Sequence, residues 1–279
     1  MALYLIGDVQ GCDSALGHLL EEINFSPSRD RIILLGDLVN RGSASLAVLR
    51  RAMALGGACD CILGNHDIHL LAVERGLRPP GRRDTLDDIL AAPDRPALID
   101  WLRRQPLARF ERGILMVHAG VLPAWSVKKT LALAQEVQQA LSGDDWAAHL
   151  ADLFGNKPDH WRKGLRGAAR LRAIVNALTR IRLIDAEGHM DFDTKDSRGA
   201  QGAPPGLMPW FDHPERRTAG HPIAFGHWST LGPLLRADIM ALDSGCVWGG
   251  WLSALRLDPS GVHELIQIRG SQECAPGSA

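Results

Sequence analysis

Five short apolar segments, each ending beside a glycine and a polar residue, constrain the fold of this chain more than any other feature. They are "LYLIGD" (3–8), "RIILLGD" (31–37), "CILGN" (61–65), "GILMVHAG" (113–120) and "PIAFGH" (222–227). Apolar runs of this length before a turn are typical of buried strands. Apolar residues at helical spacing separate the first three runs, namely Ala15, Leu16, Leu19, Leu20 and Ile23, and then Leu46, Val48, Leu49 and Met53. Alternating strands and helices predict parallel strands, with ligands bound beyond their carboxyl ends.

The remaining segments predict additions to this α/β core. Helical patterns over 84–104 and 127–182 predict a helical cap inserted at 80–110 and 125–220; the second pattern includes Leu171, Ile174, Val175 and Leu178. The polar segment 185–220, rich in Gly and Pro, predicts a long loop. After residue 222 the pattern predicts four strands, the last two antiparallel. We therefore expect a single domain over 1–269, followed by a disordered tail at 270–279.

The composition of the chain argues against several kinds of partner. Lys and Arg together number 31 against 32 for Asp and Glu, so no overall field attracts the chain to nucleic acid or to a membrane. The five cysteines lack the spacing of a disulfide framework, which favours a reducing compartment. The N-terminal "MALYLIGDVQG" has no basic segment before its apolar run, and no later segment is long and apolar enough to cross a bilayer. We expect a cytoplasmic protein that needs no membrane and no obligate protein partner.

Side chains that bear oxygen or nitrogen donors follow the predicted strands. In chain order they are Asp8, Gln10, Asp37, Asn40, Arg41, Asn65, His66, His118 and His227. Carboxylate, amide and imidazole donors without a thiolate suit Mn²⁺, Fe²⁺ or Co²⁺, with Zn²⁺ as an alternative. Taken singly, the aspartates of "GD" are also explained as solvated turn residues, and His118 and His227 as hydrogen-bonded core histidines. Five strand ends with donors in this order favour a pair of divalent cations about 3.5–4 Å apart.

Longer motifs connect these positions to a known family. "GDLVNRG", "GNHD" and the two later histidines resemble the calcineurin-like metallophosphoesterases. That resemblance implies an α/β fold with two mixed β-sheets flanked by helices in four layers, αββα. The stretches "LGNHDIHLLAV", "WLRRQPL", "VHAGV", "AFGHWS" and "ALDSGCVWGG" resemble, within that group, the symmetrical bis(5′-nucleosyl)-tetraphosphatases over residues 3–257. The implied activity is cleavage of diadenosine tetraphosphate into two ADP.

The resemblance also implies a ligand set for two divalent cations, most simply Mn²⁺. One cation would be held by Asp8, Gln10 and Asp37, and the other by Asp37, Asn65, His118 and His227, with Asp37 bridging. Gln10 departs from the superfamily pattern, which usually has His there, and an amide oxygen is a poorer donor. Asn40 stands where related protein phosphatases carry an Asp that orients the histidine of "GNHD". Its amide oxygen is expected to give His66 less basicity.

The implied mechanism assigns roles to three further side chains. A hydroxide shared by the two cations would attack a β-phosphorus in line. Arg41 would neutralise the equatorial phosphate oxygens, and His66 would protonate the departing ADP; a surface arginine and a turn histidine are the plainer alternatives. Eight basic residues in 156–183 are expected to meet the remaining substrate charge, Arg180 and Arg182 gripping the distal phosphates; a solvated helix face is the alternative for each arginine. Trp161, Trp228 and Trp248 are candidates for stacking on adenine or for core packing.

Three other functions compete with this one. A protein Ser/Thr phosphatase shares the metal motifs, although the basic cap segment and "GCVWGG" argue against it. A nucleotide-binding regulator with a decayed metal site is the alternative that Gln10 favours. Removal of dinucleotide-like caps from RNA 5′ ends would use the same chemistry, and the balanced net charge neither supports nor excludes it.

Overall fold

The fold is known from a computed structural model, which describes residues 2–194, 198–258 and 263–271. Its helices are α1 (Asp13–Glu22), α2 (Ser45–Ala54), α3 (Asn65–Glu74), α4 (Asp87–Ala91), α5 (Arg95–Arg103), α6 (Val127–Ser142), α7 (Trp146–Ala151) and α8 (Gly167–Arg180). Its strands are β1 (Leu3–Ile6), β2 (Arg31–Leu34), β3 (Cys59–Cys61), β4 (Ala108–Glu111), β5 (Ile114–Val117), β6 (Leu183–Ile184), β7 (Met190–Asp191), β8 (Met208–Pro209), β9 (Ile223–Phe225), β10 (Leu234–Leu235), β11 (Ile239–Ala241), β12 (Asp243–Ser244), β13 (Trp251–Leu257) and β14 (His263–Arg269). Most of the predicted tail, from 272 onward, lies outside the described residues.

The first three predicted strands form the parallel part of a six-stranded sheet. The strand order is β12-β13-β1-β2-β3, with β14 paired to β13. β1 and β2 are parallel, as are β2 and β3, and α1 and α2 connect them. β13 runs antiparallel to β1 and to β14. The predicted parallel core and the predicted antiparallel pair at the end of the chain are both confirmed.

A five-stranded sheet brings the fourth and fifth predicted strands together. Its order is β10-β11-β9-β5-β4. β9 lies parallel to both β5 and β11, whereas the edge strands β4 and β10 are antiparallel to their neighbours. The carboxyl ends of β5 and β9 therefore lie at one edge of this sheet.

The two sheets stack because their strands are apolar on both faces. Leu3 and Leu5 of β1 belong to a buried cluster that also contains Met116 of the second sheet. The alternate residues Tyr4 and Ile6 belong to another cluster, which includes the buried faces of α1, α2, α6 and α8. A strand buried on both faces needs a continuous apolar run, which is the feature that marked these strands in the sequence. The predicted αββα layering is confirmed.

Several local expectations differ from the structure. The segment 80–110, predicted as cap, contains α4 and α5 but ends in β4, an edge strand of the five-stranded sheet. The predicted loop 185–220 contains β7 and β8, which with β6 form a three-stranded sheet in the order β7-β6-β8. The strand expected at 61–65 ends at Cys61. Two residues later Leu63 leaves the ladder, since its N–H binds the Pro106 carbonyl at 2.8 Å. In the part of the chain that the structure describes, no helix has the length and apolar character to span a membrane.

Candidate active site

The predicted site residues lie on loops with unusual backbone conformations. In the described part of the chain, seven residues other than glycine have a positive φ angle. Five of them carry or adjoin the predicted donors: Gln10 (φ 43°), Asp37 (48°), Asn40 (77°), Arg41 (69°) and His227 (64°). A left-handed conformation costs a non-glycine residue about 1–3 kcal/mol and tends to persist at functional sites. The turns after β1, β2 and β9 are therefore held in conformations that turn chemistry alone does not favour.

Two motif glycines allow these loops to touch. A Cβ atom on Gly64 would collide with the carboxylate and backbone of Asp37, and one on Gly226 would collide with Oδ1 of Asp8. Glycine is the residue that permits so close an approach of backbone to a side chain. The glycines of "GNHD" and "AFGH" thus bring the turns after β3 and β9 against the aspartates that follow β2 and β1.

Asp37, Asn65, His118 and His227 converge on one small volume. His118 Nε2 lies 3.4 Å from Asp37 Oδ2 and 3.2 Å from Asn65 Oδ1. The same terminal amide position of Asn65 lies 3.0 Å from His227 Nδ1. One ligating atom each from Asp37, His118 and His227 lies within 4.8 Å of the others. The structure thus brings together all four residues predicted to hold the second cation.

Backbone carbonyls fix the orientation of both imidazoles. His118 donates from Nδ1 to the Leu35 carbonyl at 2.8 Å, and His227 donates from Nε2 to the Arg180 carbonyl at 3.0 Å. The opposite ring nitrogens, His118 Nε2 and His227 Nδ1, are the ones that face Asn65. A ligating histidine usually donates its other N–H in this way, which fixes the tautomer and the ring direction.

The buried carboxylate of Asp8 shows that the donor set fits a cation. Asn65 directs its terminal amide position at the two imidazole nitrogens and at the Thr179 carbonyl 3.0 Å away. The amide nitrogen can donate to these acceptors, and the oxygen would take its place only beside a cation. Asp8 is 4% exposed, and its Oδ2 has no hydrogen-bond partner although it is buried. A buried, unpaired carboxylate oxygen is costly unless it coordinates a metal.

The electrostatics of the site also favour a positive partner. Burial raises the pKa of Asp8 well above its usual value, and the carboxylate of Asp243 raises it further. Burial alone would lower the pKa of His118, but Asp37 and Asp8 outweigh it and raise the pKa to about 10. Burial and Arg182 lower the pKa of His227, which keeps this imidazole neutral. Divalent cations would supply the positive charge that these carboxylates otherwise take from protons.

Asp8 and Gln10 approach the same cluster from the turn after β1. Asp8 Oδ1 accepts a hydrogen bond from the backbone N–H of His227 at 2.9 Å. Gln10 places its Nε2 3.5 Å from Asp37 Oδ2, which is a weak contact. Sequence reasoning missed Asp243, a buried carboxylate whose pKa burial raises to about 6. It follows β11 in "ALDSG", and the strand-end rule applied to the other donors would have found it.

Asn40 corrects an expectation about His66. Asn40 Oδ1 accepts the backbone N–H groups of Arg41 (2.8 Å) and Thr85 (3.1 Å), so the amide orientation is fixed. Its Nδ2, not its oxygen, faces His66 Nδ1 at 3.1 Å. His66 Nδ1 must therefore accept, which leaves the ring proton on Nε2. Burial lowers the pKa of His66, so the ring is a neutral N–H donor.

Asp84 holds this arrangement in place and was not predicted. Its Oδ1 accepts from Asn40 Nδ2 at 2.9 Å, and its Oδ2 contacts His69 Nε2 and the Gly81 N–H, each at 2.6 Å. His69 lies on α3 and supports this arrangement through Asp84. Nothing in the sequence near 84 marks this residue, because the side chains that it binds, those of Asn40 and His69, are distant along the chain.

The predicted phosphate-binding arginines line two cavities that meet at Asn65. The larger, of about 770 Å³, is bounded by Arg41, Asn65, His66 and Arg180. The smaller, of about 150 Å³, is bounded by Asn65, Arg180, Arg182 and His227. Arg41 donates to the Arg83 carbonyl at 3.2 Å. Arg180 stacks over the Phe192 ring at 4.5 Å, and Arg182 donates to the His227 carbonyl at 3.3 Å.

The rest of the basic segment and the tryptophans take structural positions. Arg170 pairs with Glu136 at 2.6 Å, and Arg172 donates to the Asp152 and Lys157 carbonyls. Arg170 and Arg172 thus have partners within the protein, and for the segment as a whole a role in meeting the substrate charge stays a prediction. The tryptophans proposed for base stacking do not line either cavity: Trp228 is buried, Trp161 packs edge-on against Trp125, and Trp248 packs against the core.

Comparison with known proteins places the chain in a family. The model of the calcineurin-like phosphoesterases matches residues 1–228. A relative from Paracidovorax citrulli is 56% identical to this chain, and the match covers 99% of this chain and 100% of the relative. A relative from Acidovorax ebreus is 58% identical, and the match covers 100% of both chains. Both relatives are named symmetrical bis(5′-nucleosyl)-tetraphosphatase. A solved structure provisionally named a diadenosine tetraphosphatase has a TM-score of 0.64 at 22% identity, covering 97% of this chain and 94% of the other, and shows the shared fold. The chain belongs to the calcineurin-like phosphoesterases and, within them, to the symmetrical bis(5′-nucleosyl)-tetraphosphatase family.

Proposed function

We propose that this protein hydrolyses diadenosine tetraphosphate symmetrically to two ADP. The observation that carries the proposal is the convergence of Asp37, Asn65, His118 and His227 at the junction of two arginine-lined cavities. The proposal is supported by relatives that are named for this activity and are 56% and 58% identical to this chain over its full length. A polyphosphate chain placed at that junction would reach both cavities.

The proposal includes two divalent cations, because family membership implies metal ions and the donors fit them. Asp8, Gln10 and Asp37 would hold one, and Asp37, Asn65, His118 and His227 the other; Mn²⁺ suits this set, with Co²⁺ or Fe²⁺ as alternatives. Such cations lower the pKa of a water molecule toward neutrality and so supply the nucleophile. The protein contributes the fixed direction of three of these donors, through the backbone contacts of His118, His227 and Asp8.

Two side chains act on the phosphate directly. Arg41 lines the larger cavity and presents a permanently charged guanidinium to the equatorial oxygens. His66 carries its proton on Nε2 and gives it to the bridging oxygen as ADP departs. The first turn of α3, which holds Asn65 and His66, adds the positive end of a helix dipole beside the phosphates.

Product analysis tests this function in a single assay. The protein is incubated with diadenosine tetraphosphate and Mn²⁺, Co²⁺ or Mg²⁺, and nucleotides are separated by ion exchange. ADP as the sole product is expected; ATP plus AMP would contradict symmetrical cleavage. Tight binding without hydrolysis would favour the regulator, and faster turnover of phosphopeptides would favour a protein phosphatase.

Assays on dinucleotide-capped RNA test the cap-removal alternative, and cell fractionation tests the proposed cytoplasmic location.

A further inference from the structure

The loop between α3 and α4 contributes three arginines to the larger cavity. Arg78, Arg82 and Arg83 are exposed and line its wall. In the described part of the chain, the guanidinium groups of Arg82 and Arg83 form no hydrogen bond or ion pair. The cavity is therefore rich in cationic groups that the protein leaves unneutralised.

The negative charge near these arginines is already engaged. Asp84 is the acidic residue among those that line the cavity, and its two oxygens are held by Asn40, His69 and the Gly81 N–H. Arg78 and Arg180 line the same cavity; burial lowers the pKa of Arg180, and the charge of Arg78 lowers it further. Cations gathered without counter-charge raise the local potential for an anion.

Apolar side chains also line this cavity. They are Ile68, Leu153, Phe154 and Val175. Arg78 lies over the Phe154 ring, 4.7 Å from its centroid. The ring supports the Arg78 guanidinium, and the other planar face of that guanidinium is a surface on which a nucleobase stacks. One cavity thus combines sites for phosphate and for a flat ring.

We propose that this cavity is the subsite for the departing nucleoside diphosphate, with Arg82 and Arg83 on its phosphates and Arg78 and Phe154 on its base. This assignment rests on the proposed function. His66, the proton donor to the departing oxygen, lines this cavity but not the smaller one. The volume of about 770 Å³ lies in the range of small-molecule sites, whereas the smaller cavity of about 150 Å³ does not. The two halves of a symmetrical substrate are therefore held unequally.

Two substrates separate this subsite from the catalytic centre. Diadenosine tetraphosphate spans the cavity, whereas bis(p-nitrophenyl) phosphate lacks the diphosphate and base that it would hold. Arg82→Ala and Arg83→Ala should each lower kcat/KM for the dinucleotide about tenfold, as expected for a charge-assisted hydrogen bond. Hydrolysis of the small ester should change less than about twofold, because neither residue is among the predicted metal ligands. Arg82→Lys should recover part of the loss by restoring the charge.

Arg75→Ala is the matched control. Arg75 lies three residues before Arg78, is exposed, and does not line the cavity. The substitution removes the same charge, so it corrects for long-range electrostatics. An equal loss in Arg75→Ala and Arg82→Ala, or no loss in either, would overturn the subsite while leaving the proposed function intact. A wild-type protein that does not cleave the dinucleotide would overturn the proposed function itself.

Inhibition by product distinguishes the base site from the phosphate site. ADP and pyrophosphate are tested as inhibitors of small-ester hydrolysis. Phe154→Leu should raise the inhibition constant of ADP about fivefold to tenfold, since the ring that supports the Arg78 guanidinium beside the base is lost, and leave that of pyrophosphate unchanged. A Tm close to that of the wild-type protein shows that the variant is folded. Equal weakening of both inhibitors, or of neither, contradicts the placement of the base on Phe154.

Discussion

The cluster of proposed metal ligands and the arginine cavity adjoin each other but are built in opposite ways. In the cluster, Asp37 and His118 are 1% and 0% exposed, and backbone groups of Leu35, His66 and Arg180 hold the donors. In the cavity, exposed arginines extend from one loop without partners for Arg82 or Arg83 among the described residues. Reacting atoms need fixed positions, whereas a flexible polyphosphate is bound well by side chains that can adapt. Substitutions in the cluster should therefore abolish activity, whereas substitutions in the cavity should reduce it only partly.

Asp37 offers the most severe test of the rigid region. Asp37→Asn removes the proposed bridging charge while keeping the shape of the side chain. We expect loss of metal by elemental analysis and a fall in turnover greater than about a hundredfold, since metal catalysis contributes several kcal/mol. Circular dichroism should stay native. Asp94→Asn, which removes an exposed carboxylate paired with Arg50, is the control and should keep full activity. More than a tenth of wild-type activity in Asp37→Asn would contradict the bridging assignment.

His66 tests whether the rigid region also supplies a proton. His66→Gln should reduce kcat for diadenosine tetraphosphate by about 10²–10⁴-fold, the usual contribution of a general acid. The loss should be smaller for bis(p-nitrophenyl) phosphate, because p-nitrophenolate departs without protonation. Metal content should be unchanged. Equal losses on the two substrates would show that His66 binds the phosphate and does not protonate the leaving group.

Asp84 connects the two regions and should have an intermediate effect. Its carboxylate fixes Asn40, and through Asn40 the tautomer of His66, while it also anchors the arginine loop at Gly81. Asp84→Asn should lower kcat about tenfold, as for other residues that orient catalytic groups. The pH dependence of kcat should change as well, because His66 can then carry its proton on either nitrogen. A change in KM with an unaltered kcat and pH profile would limit Asp84 to anchoring the loop.

The same contrast explains what the sequence can predict. The strands and most donors were predictable because the signals are local: an apolar run buried on both faces, then a turn with a glycine and a ligand, as in "GNHD". Asp84 was not, since its partner Asn40 lies 44 residues away and no pattern connects them. Composition could not separate the basic residues that face the cavities from those with partners, because it counts charges without their partners; Arg170 is neutralised by Glu136 from another helix. Arg78 and Phe154 meet only in the folded chain.

Gln10 is the position where the rigid region should tolerate, and even gain from, a substitution. Its side chain reaches Asp37 only at 3.5 Å, and an amide oxygen binds Mn²⁺-like cations less well than imidazole. Its φ of 43° is one that His adopts more readily than most residues, so Gln10→His adds little strain. Calorimetric titration should show tighter binding of the weaker metal, by up to about tenfold, with kcat altered less than about threefold. Gln105→His, outside the site, is the control. An unchanged titration would mean that Gln10 does not ligate, and the first cation would then depend on Asp8, Asp37 and the unpredicted Asp243.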